Sequence, residues 1–286
     1  WELVAAGFRN AYALAVNEDG EVFTYDSDME WDTGMPWYKP TRVLHVVSGA
    51  DYGWRTGESS WPADSYDAWP SAVDLELGSP TGIVFGEETS FPEPWNSALF
   101  ACDWAYGRVF AVHLEPDGST YRGSYEEFAS GQPFPVTDIV AAPDGALYVT
   151  IGGRQTQSGL YRISWVGGMP ANEPVARAQS GGGPRQGRGL LEREHGAGSA
   201  LDSDARKHAE YVAKLALGAL DVSDPFMRNA ARVALEHLEP ALWSAGVWER
   251  SSPRAFLEGG LALVHADPSV DAHRLVERAL SIVMDT

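Results

Sequence analysis

The block Gly7-Phe8-Arg9-Asn10, which opens a series of short blocks running to Trp54, carries the sharpest signal in the chain. A guanidinium forks onto a carboxylate through two parallel N–H donors, so Arg9 can grip a carboxylated ligand. The same pair can instead serve the chain itself, Arg9 bonding loop carbonyls and Asn10 shaping the turn. A second signal is the acidic run Asp26, Asp28, Glu30 and Asp32. Carboxylates at alternate positions can converge on a hard cation such as calcium, which takes about 6–8 oxygen ligands. They can also be ion-paired, with Arg42 and Lys39 near in sequence, or form a solvated edge. The run lacks the glycine and distal glutamate of an EF-hand loop. Asp26, Asp28 and Glu30 are the candidate metal ligands, and no residue is assigned as catalytic.

The remaining candidates are weaker. Asp103 and Asp138 stand at strand ends, where they can face a ligand or cap a turn. His45 and His113 sit among valines and leucines and read as hydrogen-bonded core histidines. His208, His237, His265 and His273 lack the i, i+4 spacing of a zinc pair. The single cysteine, Cys102, follows Leu99, Phe100 and Ala101 and reads as an inert core thiol; alone it excludes internal disulfides and a CxxCH haem attachment. No Gly-x-Ser-x-Gly elbow occurs, and Ser180-Gly181-Gly182-Gly183-Pro184 lacks the Gly-Lys-Ser/Thr of a phosphate-binding loop. Trp31, Trp37, Tyr38, Trp54, Trp61 and Trp69 can stack on sugar faces or pack the loops around them.

Elements that position these residues follow from composition. The chain has 286 residues and a net charge of −19, which removes the electrostatic footprint of a nucleic-acid binder. No run of about 18 apolar residues marks a transmembrane helix. Residues 1–167 hold 24 acids, 8 bases and 27 of the 32 aromatics, so two folding classes share the chain. The first part reads as β: short Val-, Tyr-, Phe- and Trp-rich runs alternate with turns at Asp19-Gly20, Asp117-Gly118 and Asp144-Gly145. Strand, Asp-Gly, strand, loop is the rhythm of a β-propeller blade, and this part is long enough for about three or four blades of 40–45 residues. A partial propeller is therefore expected over 1–166 and a flexible linker over 167–200. An α-helical domain is expected over 201–286, with helical faces at Ala209–Leu220 and after the cap signals Asp224-Pro225, Ser252-Pro253 and Asp267-Pro268. Helices in such succession suggest a HEAT-like array, with three-helix packing without true repeats as the alternative, since their spacing is irregular. The start at Trp1, with no leader pattern, marks the chain as an expected fragment of a longer protein.

The order Gly7-Phe8-Arg9-Asn10, Asn17-Glu18-Asp19-Gly20, Tyr25-Asp26-Ser27-Asp28 and Ser48-Gly49-Ala50-Asp51-Tyr52-Gly53-Trp54 resembles the glucose/sorbosone dehydrogenases, soluble quinoproteins that use pyrroloquinoline quinone (PQQ). Residues 25–32 and Thr150-Ile151-Gly152-Gly153-Arg154 resemble in particular a large-protein subgroup described as membrane-bound dehydrogenases. In that subgroup HEAT-like helices, and often a cytochrome c, follow the propeller. The resemblance implies a PQQ-dependent oxidoreductase acting on the CH–OH groups of a sugar or alcohol, with Arg9 and Asn10 on the quinone. It also implies structural calcium, a cytochrome c electron acceptor and an extracytoplasmic setting, periplasmic or secreted, with no haem in this segment. The general-base histidine of the family precedes the segment matching Trp1. The sequence departs from the pattern at Arg42, where the family has a calcium-binding glutamate, and at Trp104-Ala105-Tyr106, where it has a cation with only Arg108 nearby. A non-catalytic propeller-plus-helix scaffold binding carbohydrate or protein is the alternative reading.

Overall fold

A computed structural model describes residues 1–55, 69–153, 155–167, 183–196 and 203–284. The chain divides into two units, residues 5–179 and residues 180–286 with residues 1–4.

The first unit is built from three antiparallel sheets that follow one another along the chain. β1 (Leu14–Val16), β2 (Val22–Asp26), β3 (Arg42–Val46) and β4 (Val73–Asp74) form the first, in sequential order. β5 (Pro80–Phe85), β6 (Leu99–Asp103), β7 (Arg108–Asp117) and β8 (Thr120–Ser130) form the second. β9 (Val136–Ala141), β10 (Leu147–Gly153) and β11 (Thr156–Ile163) form the third. The three Asp-Gly turns lie where expected, because Gly20, Gly118 and Gly145 take the left-handed φ values of +81°, +60° and +76° that close these hairpins.

Alternation along β6 shows how the sheets stack. Leu99 and Ala101 face the first sheet in a core with Phe23, Tyr25, Val43 and Phe85. Phe100 and Cys102 face the third sheet in a core with Val136, Ile139, Leu147 and Val149. This period-2 division buries both faces of the middle sheet. Cys102 is the inert core thiol expected: it is buried, and desolvation pushes its pKa up. The first strands of successive sheets are neighbours, β1 beside β5 and β5 beside β9. At the second of these contacts Gly82 is essential, since a Cβ there would lie 2.8 Å from the Asp138 Cα and the Ile139 N.

The second unit is helical: α1 (Pro184–Glu192), α2 (Ser203–Ala219), α3 (Pro225–His237), α4 (Ser244–Trp248), α5 (Pro253–Ala266) and α6 (Ala272–Met284). α1 and α2 pack on α3, α3 on α5, and α5 on α6. Trp243, Leu235, Phe256, Leu263 and Ala216 centre the core. Three sequence expectations need correction or qualification here. The stretch expected as linker contains α1, whose buried Arg188 pairs with Glu192 one turn later and whose Leu191 enters the core. Asp267 does not open α6; it closes a turn onto Ser269, and Asp271 accepts the Arg274 N–H at the start of that helix. The helices form, but a regular HEAT-type repeat is not established by them.

Candidate functional site

The blocks around Arg9, Asp26 and Tyr52, separated in sequence, are bonded into one structure. Ala6 N–H donates to Ala50 O at 2.9 Å, Tyr52 N–H to Ala6 O at 3.0 Å and Trp54 N–H to Gly7 O at 2.9 Å. Gly7 makes this approach with φ +75°; a Cβ there would sit 2.1 Å from Asp51 Oδ1. Phe8 then stacks on Tyr52 with ring centroids 4.9 Å apart.

Asp26, at the end of β2, ties the Arg9 turn down. Its carboxylate is fully buried and accepts the Arg9 N–H at 3.1 Å on each oxygen and the Asn10 N–H at 2.8 Å. The Arg42 guanidinium completes it, donating to Asp26 Oδ2 at 3.3 Å and to Tyr52 O at 3.0 Å. A buried carboxylate with a cation and three N–H contacts is satisfied, and the same bonds fix the backbone of the Arg9 turn.

The Arg9 side chain is held much more loosely. Its guanidinium lies 5.8 Å above the Trp31 ring, 3.3 Å from Ser27 Oγ and 3.4 Å from Glu30 Oε2. Glu30 is largely exposed, so this pair is weak and exchangeable. The Asn10 side chain is exposed beside it.

Asp26, Asp28 and Glu30 do not meet. Asp26 serves the Arg9 turn and Arg42, Asp28 accepts from Tyr38 Oη at 2.9 Å, and Glu30 faces Arg9. Among the described residues no group of three His, Cys, Asp or Glu side chains is arranged for a metal ion. The calcium expected at Asp26, Asp28 and Glu30 therefore lacks a donor set: the closest pairing cations are guanidinium groups. Lys39, expected as another partner of the run, makes no such pair among the described residues. Burial, aided by the Arg42 charge, lowers its pKa to about 8. Sequence reasoning missed that Asp28 is buried, with Oδ1 unpartnered. Burial pushes its carboxyl above the usual range and Glu30 adds to this, while the Tyr38 hydroxyl and Arg9 oppose it. No spacing signal marks a carboxylate as buried.

The other arginines near these blocks are committed. Arg55 forks onto Asp51 at 2.7 and 3.0 Å. Burial alone would raise the Asp51 carboxyl, but the Arg55 bonds and the Gly53 N–H outweigh it and leave it below the usual range. Arg108 bonds Asp103 at 2.8 Å and Glu76 at 2.6 Å. Asp103 is a turn-capping carboxylate, accepting the N–H groups of Ser79 and Ala105. Asp138 caps the N–H of Ile139. His45 is buried between Glu21 and Thr120, as a core histidine, whereas His113 is partly buried and bonds the exposed Glu126. Trp54 donates to Met29 Sδ at 3.1 Å and Trp31 stands exposed beneath Arg9. Trp61, Arg154 and the Gly181-Gly182 centre of the expected linker lie outside the described residues.

PQQ carries several carboxylates. The described residues fit one of them, at Arg9 with Asn10 alongside, and do not form a complete cationic cradle.

No family model matches the chain, and no curated protein matches it. Among solved structures it is similar to an oxidoreductase described as a glucose dehydrogenase from Thermus thermophilus, at 22% identity and a TM-score of 0.45, over 57% of this chain and 47% of that one. It is similar to the PQQ-bound aldose sugar dehydrogenase of Streptomyces coelicolor at 13% identity and a TM-score of 0.43, over 57% and 45% of the two chains. For the apo form of the soluble aldose sugar dehydrogenase of Escherichia coli the values are 17%, 0.42, 52% and 43%. The chain thus spans less than half the length of each of these structures.

Proposed function

We propose that residues 5–167 are part of a sugar- or alcohol-oxidising, quinoprotein-type dehydrogenase, and that the Arg9 turn forms one edge of its cofactor site. The observation that carries this reading is the convergence of the motif blocks: Gly7–Asn10, Tyr25–Glu30 and Ala50–Trp54 bond to one another and leave the Arg9 guanidinium partly exposed, its one ion pair a long contact to exposed Glu30. When bound, the quinone supplies the redox chemistry. Arg9 would hold one carboxylate of it, Asn10 would offer an amide beside that carboxylate, and Asp26 would keep the turn in place. In this reading the three sheets are blades of a propeller, their neighbouring first strands lining its axis. The helical unit belongs to a HEAT-like array, the electron acceptor is a cytochrome c, and the setting is extracytoplasmic. No helix among the described residues is long and apolar enough to cross a membrane.

One observation favours the second reading, a binding scaffold without redox activity. Arg42, Arg55 and Arg108 are spent on carboxylates of the chain itself. The two readings separate on dye-linked oxidation of a panel of aldoses and alcohols by the full-length protein supplied with PQQ. Turnover that depends on added PQQ supports the dehydrogenase. Absence of turnover in a folded, PQQ-supplied protein supports the scaffold.

A further inference from the structure

The helical unit contains a groove that the reading above leaves unused. α1 and α2 both pack on α3, and between them lies a cavity of about 560 Å³. Leu191, Leu215, Val222 and Met227 give it apolar walls, while Gly187 and Gly218 keep it open. Leu215 and Val222 are each 37% exposed, so the apolar wall faces solvent.

Its two side chains with polar tips, Tyr211 and Lys214, are both exposed. Tyr211 and Lys214 line the groove together, and residues three apart on a helix share a face. The Lys214 ammonium has no hydrogen-bond or ion-pair partner among the described residues, in a chain whose net charge is −19. From Lys214 to Ala219 the helix rises roughly 7.5 Å along the groove. Val222 extends the apolar wall past the helix end. The arrangement is an apolar groove with an exposed cationic side chain and an exposed hydroxyl at its rim, the polarity expected of a site for a small amphiphilic anion.

We propose that this groove binds a medium-chain monocarboxylate, with its head on Lys214 and Tyr211 and its alkyl chain along α2 between Leu191 and Met227. One free cation and one hydroxyl match a single carboxylate. The proposal stands independently of the quinone reading, since every residue it uses lies in the helical unit.

Gly218 provides a test that spares the fold. A Cβ there meets nothing within 4 Å. Gly218→Leu therefore enters the groove without a clash and replaces a poor helix former by a good one. Calorimetric titration of the full-length protein with octanoate, decanoate and decanol is the measurement. The expected result is saturable 1:1 decanoate binding, tighter than octanoate by up to roughly fourfold per methylene. Decanol and the Lys214→Ala variant should each bind about tenfold more weakly or worse, and Gly218→Leu should abolish binding while remaining folded. Decanoate affinity unchanged in folded Gly218→Leu overturns the proposal, as does decanol binding as well as decanoate. Binding to phosphatidylglycerol vesicles without any response to monomeric decanoate also overturns it.

Discussion

Asp26 takes the backbone N–H of Arg9 on both carboxylate oxygens, at 3.1 Å each, and so fixes the turn that carries the partly exposed Arg9 side chain. An acid that reads in the sequence as a metal ligand is thus an anchor for the adjacent motif. Asp26→Asn removes the charge partner of buried Arg42 and weakens the N–H contacts of residues 9 and 10. Breaking a buried pair on one side costs about 3–5 kcal/mol. Chemical denaturation should show a loss of that size, and a loss below about 1 kcal/mol would contradict the anchoring role.

Asp28 has the opposite sign. Burial lifts its folded-state pKa above the unfolded value, so the folded state binds the proton more tightly. Its contribution to stability is most favourable below the unfolded value of about 3.9 and falls as pH rises to the folded pKa. Above that it is a constant penalty. Asp28→Asn should therefore stabilise the protein at pH 7, and the advantage should shrink as pH falls through the raised pKa. Melting temperatures from pH 4 to pH 7 check this; an equal shift at every pH would show that charge burial is not the cause.

The packing of β5 on β9 rests on Gly82. A methyl group there would lie 2.6 Å from Asp138 Oδ1 and 2.8 Å from its Cα, so the strands must separate. Gly82→Ala should cost about 1–3 kcal/mol, the range for overpacking a tight contact. A neutral result in denaturant titration would place the third sheet differently against the second.

In the helical unit, Asp224 accepts the N–H groups of Phe226 at 3.0 Å and Met227 at 3.2 Å, whereas Ser252 accepts from Ala255 at 3.4 Å. Asp224→Ala should lower stability by about 1 kcal/mol, the usual worth of an N-cap. Ser252→Ala should lower it less. The reverse order would mean that the cap geometry does not set the helix start.

What the sequence disclosed and what it hid divide along physical lines. The Asp-Gly turns were legible because positive φ at Gly20, Gly118 and Gly145 is a local requirement with a residue signature. The caps at Asp224 and Ser252 were legible for the same reason. α1 was not, because Gly187 and Gly189 argue against a helix locally, and it is tertiary burial of Arg188 and Leu191 that holds it. Asp267 beside Pro268 carried a cap signal as good as Asp224 beside Pro225, yet Asp271 does the capping. Arg9 and Asn10 stand out through their motif, and the structure adds that Asp26 bonds the backbone of both. The pairing of Asp26 with Arg42 was among the readings of the acidic run, but the hold of Asp26 on the Arg9 turn, the Tyr38 bond of Asp28 and the Arg9 contact of Glu30 were not, because those partners lie 10 to 21 residues away in the chain and leave no spacing pattern.

In the quinoprotein reading Arg9 presents its guanidinium to a carboxylate of the bound quinone. Calorimetric titration of PQQ into the full-length protein and its Arg9→Ala variant tests it most directly. Loss of a charge-assisted bond worth about 1.5–3 kcal/mol predicts saturable binding that weakens by roughly tenfold or more in Arg9→Ala, with the melting temperature little changed. Equal affinity in the two proteins, or no binding by the folded wild type, would contradict the account.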